Sequence, residues 1–206
     1  MGLAKPLPFD LDYNGEPHTA LNELHLRWML RHCATHDVRR SIEVGLGLGI
    51  SACALFHGGV SQHVAIEIES SRLDIAARNV AKVKKAEQIL TLLHGPADIH
   101  LPRLVASEGK FDLMLIDGGH RFDDAFIDVH YAKSLVNPGG VMLIDDTRME
   151  GVAAVVDWLD GNMSAIWRKL THRGDVLAVN MACYERSAVP SGSDGRSYWF
   201  HRQFKG

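Results

Sequence analysis

The segment Ser41-Ile-Glu-Val-Gly-Leu-Gly-Leu-Gly-Ile-Ser51 constrains this chain more than any other. A short apolar strand runs directly into a loop with glycine at every second position, and Ala52-Cys-Ala-Leu-Phe56 supplies the helix that follows. Gly45, Gly47 and Gly49 can take dihedrals closed to other residues and leave no Cβ between the backbone and a ligand. The helix after them turns free N–H groups and the positive end of its dipole to the same spot. Such a unit suits a nucleotide-like ligand. Glycines at this spacing do not say which one, because they recur in several kinds of nucleotide loop and in chance clusters.

The rest of the chain repeats the same alternation. Residues 1 to 18 are rich in Pro, Gly and Asp and read as an extended arm. Leu21, Leu24, His25, Trp28 and Met29 then recur at helical spacing, so a helix precedes the first strand. Strand signals at 41–44, 64–68, 89–93, 111–116 and 141–144 interleave with helical ones from Ser51, over 71–84, 123–134 and 151–159. Leu113-Met-Leu-Ile116 and Val141-Met-Leu-Ile144 are continuously apolar, as strands buried on both faces should be. Alternating elements of this kind imply a parallel sheet covered by helices on both sides. Two strand-like runs at the end, 165–170 and 175–185, are joined by Thr-His-Arg-Gly without a helix, which predicts a terminal antiparallel hairpin.

The totals bound the partners. With 206 residues, 46% hydrophobic and 23% charged, the chain predicts one domain: an arm and helix over 1–40, a core over 41–186 and an aromatic tail over 187–206. A net charge of -3 with scattered Lys and Arg offers no footprint for nucleic acid or a membrane surface, which leaves a small-molecule partner. Cys33, Cys53 and Cys183 are far apart and odd in number, and no apolar signal segment opens the chain; both features suggest a reduced, cytoplasmic setting. No apolar run is long enough to span a bilayer. The N-terminal helix is one surface through which a second copy could pair; the aromatics Tyr198, Trp199, Phe200 and Phe204 could pack on a neighbouring subunit or cover the acceptor site.

Glu67 stands at the tip of the second strand, 18 residues after Gly49, where a carboxylate can accept both hydroxyls of a ribose. That position fits NAD as well as S-adenosylmethionine. The alternative, an acid capping the next helix, is weakened by Ser70 and Ser71, which are better caps.

Four segments in order narrow the ligand: Glu43-Val-Gly-Leu-Gly-Leu-Gly49; Glu67 followed by Leu73-Asp-Ile-Ala-Ala-Arg-Asn79; Phe111-Asp-Leu-Met-Leu-Ile-Asp-Gly-Gly-His120; and Asn137-Pro-Gly-Gly-Val-Met-Leu-Ile-Asp-Asp146. Together they resemble class I S-adenosylmethionine-dependent methyltransferases. The Asn-Pro-Gly-Gly turn separates these best from dehydrogenases. The Ile-Asp-Gly-x-His and Asp-Asp endings are similar to those of the macrocin, rhamnosyl and catechol O-methyltransferases. The resemblance implies a Rossmann-like, seven-stranded, mostly parallel sheet whose last strand is antiparallel. It puts the methionine moiety against Gly45, Gly47 and Gly49, with Glu43 below the loop, Ser51 near the amino-acid end and Glu67 on the ribose. The adenine acid departs from the pattern: Pro96 occupies its usual position in His94-Gly-Pro-Ala-Asp98, which leaves Asp98 as the substitute.

Asp117 closes the fourth strand and Asp145 with Asp146 the fifth; neighbouring parallel strands lie about 4.8 Å apart, so these acids can converge at the carboxyl edge of the sheet. Carboxylates that close repel one another unless protonated or bridged by a cation, and an all-oxygen set suits Mg²⁺, Ca²⁺ or Mn²⁺. In the resembling enzymes the matching residues hold a metal that binds substrate oxygens; alternatively the acids cap the turn while Asp117 contacts the cofactor. His120 is the candidate base, since histidine's ordinary pKa of about 6.5 suits proton removal at neutral pH. Relatives often carry a second acid where this chain has Gly119. His32 and His36, one helical turn apart, read as a solvated helix end rather than a metal pair. The expectation is a divalent-metal-assisted O-methyltransferase for a small hydroxylated metabolite or sugar-like acceptor. Its rivals are a metal-independent N- or O-methyltransferase, a nicotinamide-dependent oxidoreductase and a non-catalytic cofactor binder.

Overall fold

The computed structural model describes residues 7–15, 21–107, 109–171 and 180–188. In chain order the elements are α1 (Glu23–His36), β1 (Arg40–Val44), α2 (Ile50–His57), β2 (Gln62–Glu67), α3 (Ser70–Ala81), β3 (Ile89–His94), α4 (Ala97–Ser107), β4 (Phe111–Ile116), α5 (Phe122–Leu135), β5 (Val136–Ile144), α6 (Glu150–Asn162), β6 (Trp167–Lys169) and β7 (Ala182–Arg186). They form one seven-stranded sheet in the order β3-β2-β1-β4-β5-β7-β6. Neighbours from β3 to β5 pair in parallel, while β7 lies antiparallel to both β5 and β6. The expected parallel sheet with a closing antiparallel pair is therefore present. The aromatic tail and the segment joining β6 to β7 lie outside the described residues.

Each central strand divides its side chains between two cores, because successive residues point to opposite faces. Leu113, Leu115 and Leu143 pack with Met29 of α1 and Leu55 and Phe56 of α2. Ile42, Met114 and Ile144 pack on the other face with Leu101 of α4, Val129 of α5 and Val155 of α6. Fully burying one such side chain is worth roughly 1.5–3 kcal/mol, so apolar burial on both faces is what holds the layers together. The arm at 7–15 is tied down: Leu7 and Leu11 are buried, and Asn79 of α3 exchanges two hydrogen bonds with the backbone of Asp12.

Three local expectations need correction. A helix, α4, stands between β3 and β4, where the sequence pattern assigns none; Pro102 sits inside it, at the cost of one backbone hydrogen bond that proline cannot donate. Neither Ser70 nor Ser71 caps α3: Glu69 takes the N-cap position without a side-chain bond, and the Glu67 carboxylate accepts the Glu69 N–H instead. The Asn137-Pro-Gly-Gly turn lies within β5 as a bulge, where pairing jumps from Phe111↔Val136 to Leu113↔Val141. Asn137 Nδ2 fixes it by donating to Asp112 Oδ1 at 2.8 Å.

Backbone pairing continues past the strands and aligns their tips. Gly45 N–H donates to Ile66 O, Asp117 N–H to Val44 O and Asp145 N–H to Ile116 O, at 2.9–3.0 Å. The glycine loop and the strand-tip acids thus sit side by side along one edge.

Candidate active site

A cleft of about 890 Å³ opens along that carboxyl edge, where ligands of open α/β sheets bind. Its walls include Gly45 and Gly47, Ser51, Glu67, Asp98, Asp117 and His120, together with Asp145 and Asp146. Gly49 stands at the N-cap of α2 behind the wall, and Glu43 lies beneath the loop with no exposed surface.

The glycine loop is shaped by contact with β4. Gly45 has φ +88°, and a Cβ there would stand 2.0 Å from the Asp117 carbonyl oxygen. Only glycine fits. Glu67, 5% exposed, accepts the Gly47 N–H at 2.7 Å and the Glu69 N–H at 2.8 Å, so its carboxylate holds the loop from the cleft wall. Asp98 is exposed in the first turn of α4.

At the other end of the edge, Asp117, His120 and Asp146 each bring a ligand-type atom within 4.8 Å of the others. His120 Nε2 lies 2.9 Å from Asp146 Oδ2, and Asn180 Nδ2 donates to Asp146 Oδ1 at 2.7 Å. Asp146 adopts φ +55°, a left-handed conformation that a non-glycine residue holds only at a cost, typically at functional sites. Asp145 falls outside this group. It is 9% exposed, its Oδ1 lies 3.6 Å from His25 Nδ1 of α1, and that oxygen has no hydrogen-bond partner. Of the three acids expected to hold an ion, Asp117 and Asp146 thus meet His120 within 4.8 Å, and Asp145 stands beside them. At Gly119 a Cβ would stand 2.5 Å from the Asp124 carboxylate, so the second acid of related sequences would require the Asp124 side chain to move.

The electrostatics differ along the edge. Burial pushes the Asp117 carboxyl well above the usual carboxylate range, and Asp145, Glu43, Asp146 and Glu67 add to the rise. Burial lifts Asp145 to about 6, with Asp146 contributing. Carboxylates so crowded are relieved by a cation. Two carboxylates and an imidazole within reach of one point, beside a buried carboxylate oxygen without a partner, fit a divalent ion; that mixed donor set suits Mn²⁺-type ions better than Ca²⁺.

Three side chains at this edge or beneath the loop carry no signal in the sequence motifs. His25 is buried at 1% exposure beside Asp145, Asn180 holds Asp146, and His63 is buried against Glu43. A histidine inside the apolar run His63-Val-Ala-Ile66 was the one available hint. The other two pairings join residues over a hundred, or over thirty, positions apart. Along α1, His32 stacks between Trp28 and His36, and neither histidine belongs to this group.

The chain belongs to a family of methyltransferase domains: the family model matches residues 42–147, just over half of the sequence. This is the class that the sheet order and the glycine loop define. Its fold is similar to that of the O-methyltransferase TomG from Streptomyces achromogenes, involved in tomaymycin synthesis and crystallised with S-adenosylmethionine (TM-score 0.71, 19% identity, 84% of this chain and 83% of that one). It is also similar to an O-methyltransferase from Bacillus cereus in complex with S-adenosylhomocysteine (0.69, 16%, 82% and 84%), and to the S-adenosylhomocysteine-bound Podospora anserina methyltransferase PaMTH1 (0.68, 17%, 85% and 84%). No curated protein sequence matches the chain. Among the described residues, no helix is long and apolar enough to cross a membrane.

Proposed function

We propose that this methyltransferase uses S-adenosylmethionine to methylate an oxygen of a small hydroxylated acceptor, a metabolite or sugar-like natural product, with a divalent ion assisting. One observation carries the reading: the glycine loop, Glu67 and the Asp117–His120–Asp146 group face one cleft. Solved relatives of the same fold that hold S-adenosylmethionine or S-adenosylhomocysteine support the donor. On this reading residues 1–206 work as one methyltransferase unit.

Bound S-adenosylmethionine supplies an electrophilic methyl carbon with a neutral sulfide as leaving group. The residues supply positioning, the larger part of what a displacement at carbon needs. The 45–49 backbone and the α2 N-terminus, with Ser51, receive the amino-acid end; Glu67 accepts from the ribose, and Asp98 lies toward the base. Asp117, His120 and Asp146 would hold the ion, which lowers the pKa of an acceptor hydroxyl, and Asp145 adds negative potential behind them. On this metal-assisted reading His120, paired with Asp146, orients the site as a ligand, and the acidified hydroxyl gives its proton to solvent.

That pair also favours a second reading. At 2.9 Å, Asp146 can orient His120 as a general base without any metal. Turnover assayed before and after chelation separates the two. On the metal-assisted reading chelation abolishes methylation and Mn²⁺ or Mg²⁺ restores it; full activity in chelator overturns that reading and leaves the histidine–aspartate base.

A further inference from the structure

Beneath the glycine loop, four polar side chains form one hydrogen-bonded chain. Ser51 Oγ donates to Glu43 Oε1 at 2.5 Å, His63 Nε2 lies 2.9 Å from Glu43 Oε2, and His63 Nδ1 lies 2.8 Å from Ser41 Oγ. Ser41, Glu43 and His63 have no exposed surface, and Ser51 has 6%. The register explains the meeting. Ser41 is opposite His63 across the β1–β2 pairing, and strand alternation turns residues 41, 43 and 63 to the face that α2 covers. Phe56 of α2 closes over the His63 ring edge-on, with centroids 5.9 Å apart.

Both Glu43 oxygens therefore meet protein groups, and only Ser51 of the four reaches the cleft wall. Glu43 stands just before the loop and Ser51 just after it. Their bond ties together the two ends of the segment 45–49. Because Nδ1 is turned to a serine hydroxyl, which can donate or accept, the imidazole can donate from Nε2 to Glu43 in either of its protonated forms.

We propose that His63 is a positioning residue for the methyl-donor loop: it fixes Glu43, and Glu43 holds Ser51 and the first turn of α2 at the spacing the loop requires. The inference rests on the donor-binding reading above. A buried carboxylate that loses a partner takes up a proton or draws in water. Either change disturbs the acceptor on which the Ser51 hydroxyl depends.

The test compares two amides at position 63. His63→Gln can reach the Nε2 position and keeps the bond to Glu43, whereas His63→Asn reaches only the Nδ1 position and loses it. Two readouts are taken on the full chain: the Kd for S-adenosylhomocysteine, and amide hydrogen exchange at Gly47, Gly49 and Cys53, whose N–H groups donate to the Glu67 carboxylate, Leu46 O and Gly49 O in turn. His63→Asn should raise the Kd about tenfold or more, as expected for one hydrogen bond to a charged group. It should also speed exchange at those amides while leaving the acceptor KM unchanged. His63→Gln should restore both readouts to near the wild type. If the two variants behave alike, or neither readout moves in His63→Asn, the positioning role is wrong. Should His63→Asn fail to fold, Ser51→Ala replaces it: faster exchange over 45–53 supports the chain and unchanged exchange overturns it. Failure of the wild type to bind S-adenosylhomocysteine would sink the donor reading alone, and the exchange comparison would still decide the role of His63.

Discussion

The β1–β2 end of the sheet edge carries two carboxylates, Glu43 and Glu67, and every one of their oxygens meets a hydrogen-bonding group of the protein. The β4–β5 end carries Asp117, Asp145 and Asp146, which press on one another, with two of their carboxyls raised and one buried oxygen without a hydrogen-bond partner. Both sets stand at strand tips of one sheet, and they are built for different ends. The first is a finished cradle whose acids shape backbone. The second crowds acids that hold their protons more tightly than usual, and suits a cation or a proton in transit. Binding of the donor should therefore depend on the first end, and chemistry on the second.

Breaking the second end gives the largest expected effect. His120→Ala should lower kcat by roughly 10²–10⁴-fold, the usual range for a general acid–base or orienting group, with the Kd for S-adenosylhomocysteine within a few-fold of the wild type. Equal loss of both would erase the division between the ends.

A buried acid beside the second end sharpens the contrast through pH. Asp128 of α5 is buried beneath Gly118, and burial, then Asp124 and Asp98, lifts its carboxyl to about 8. A carboxyl whose pKa is raised by folding binds its proton more tightly in the native state, so stability falls as pH rises from about 4 to about 8. Asp128→Asn should raise Tm at pH 8 by several degrees and change it little near pH 4. Thermal melts across that range check the sign; an unchanged melt at pH 8 would remove Asp128 from the strained set.

The smallest effect is expected at Asp98. It is exposed on α4, so Asp98→Ala should weaken S-adenosylhomocysteine binding by only about threefold, within the small range of exposed polar contacts. A loss of a hundredfold would make it the adenine anchor that the motif comparison assigns there.

The sheet was legible because its strands are written as unbroken apolar runs such as 113–116 and 141–144, and the cradle because glycines and Glu67 recur at fixed spacing. Helix α4 was hidden by Pro96 and Pro102, which argue against a helix locally while Leu101 and Leu104 are buried in the lower core. The strand-tip acids were legible as a group, whereas the approach of His120 to Asp146 was not. The left-handed turn at Asp146 goes with it, and Asn180, 34 positions away, holds that carboxylate. His63 escaped for the same reason: its partners are set by the register of β1 against β2, which no local pattern encodes.

The most direct test is calorimetric titration of the wild-type protein with S-adenosylhomocysteine, with and without Mn²⁺, alongside NADH. Saturable binding of S-adenosylhomocysteine at one site, largely independent of the ion, with no binding of NADH, is the predicted result. Absence of S-adenosylhomocysteine binding, or binding of NADH in its place, would contradict the assignment of the glycine loop to a methyl donor.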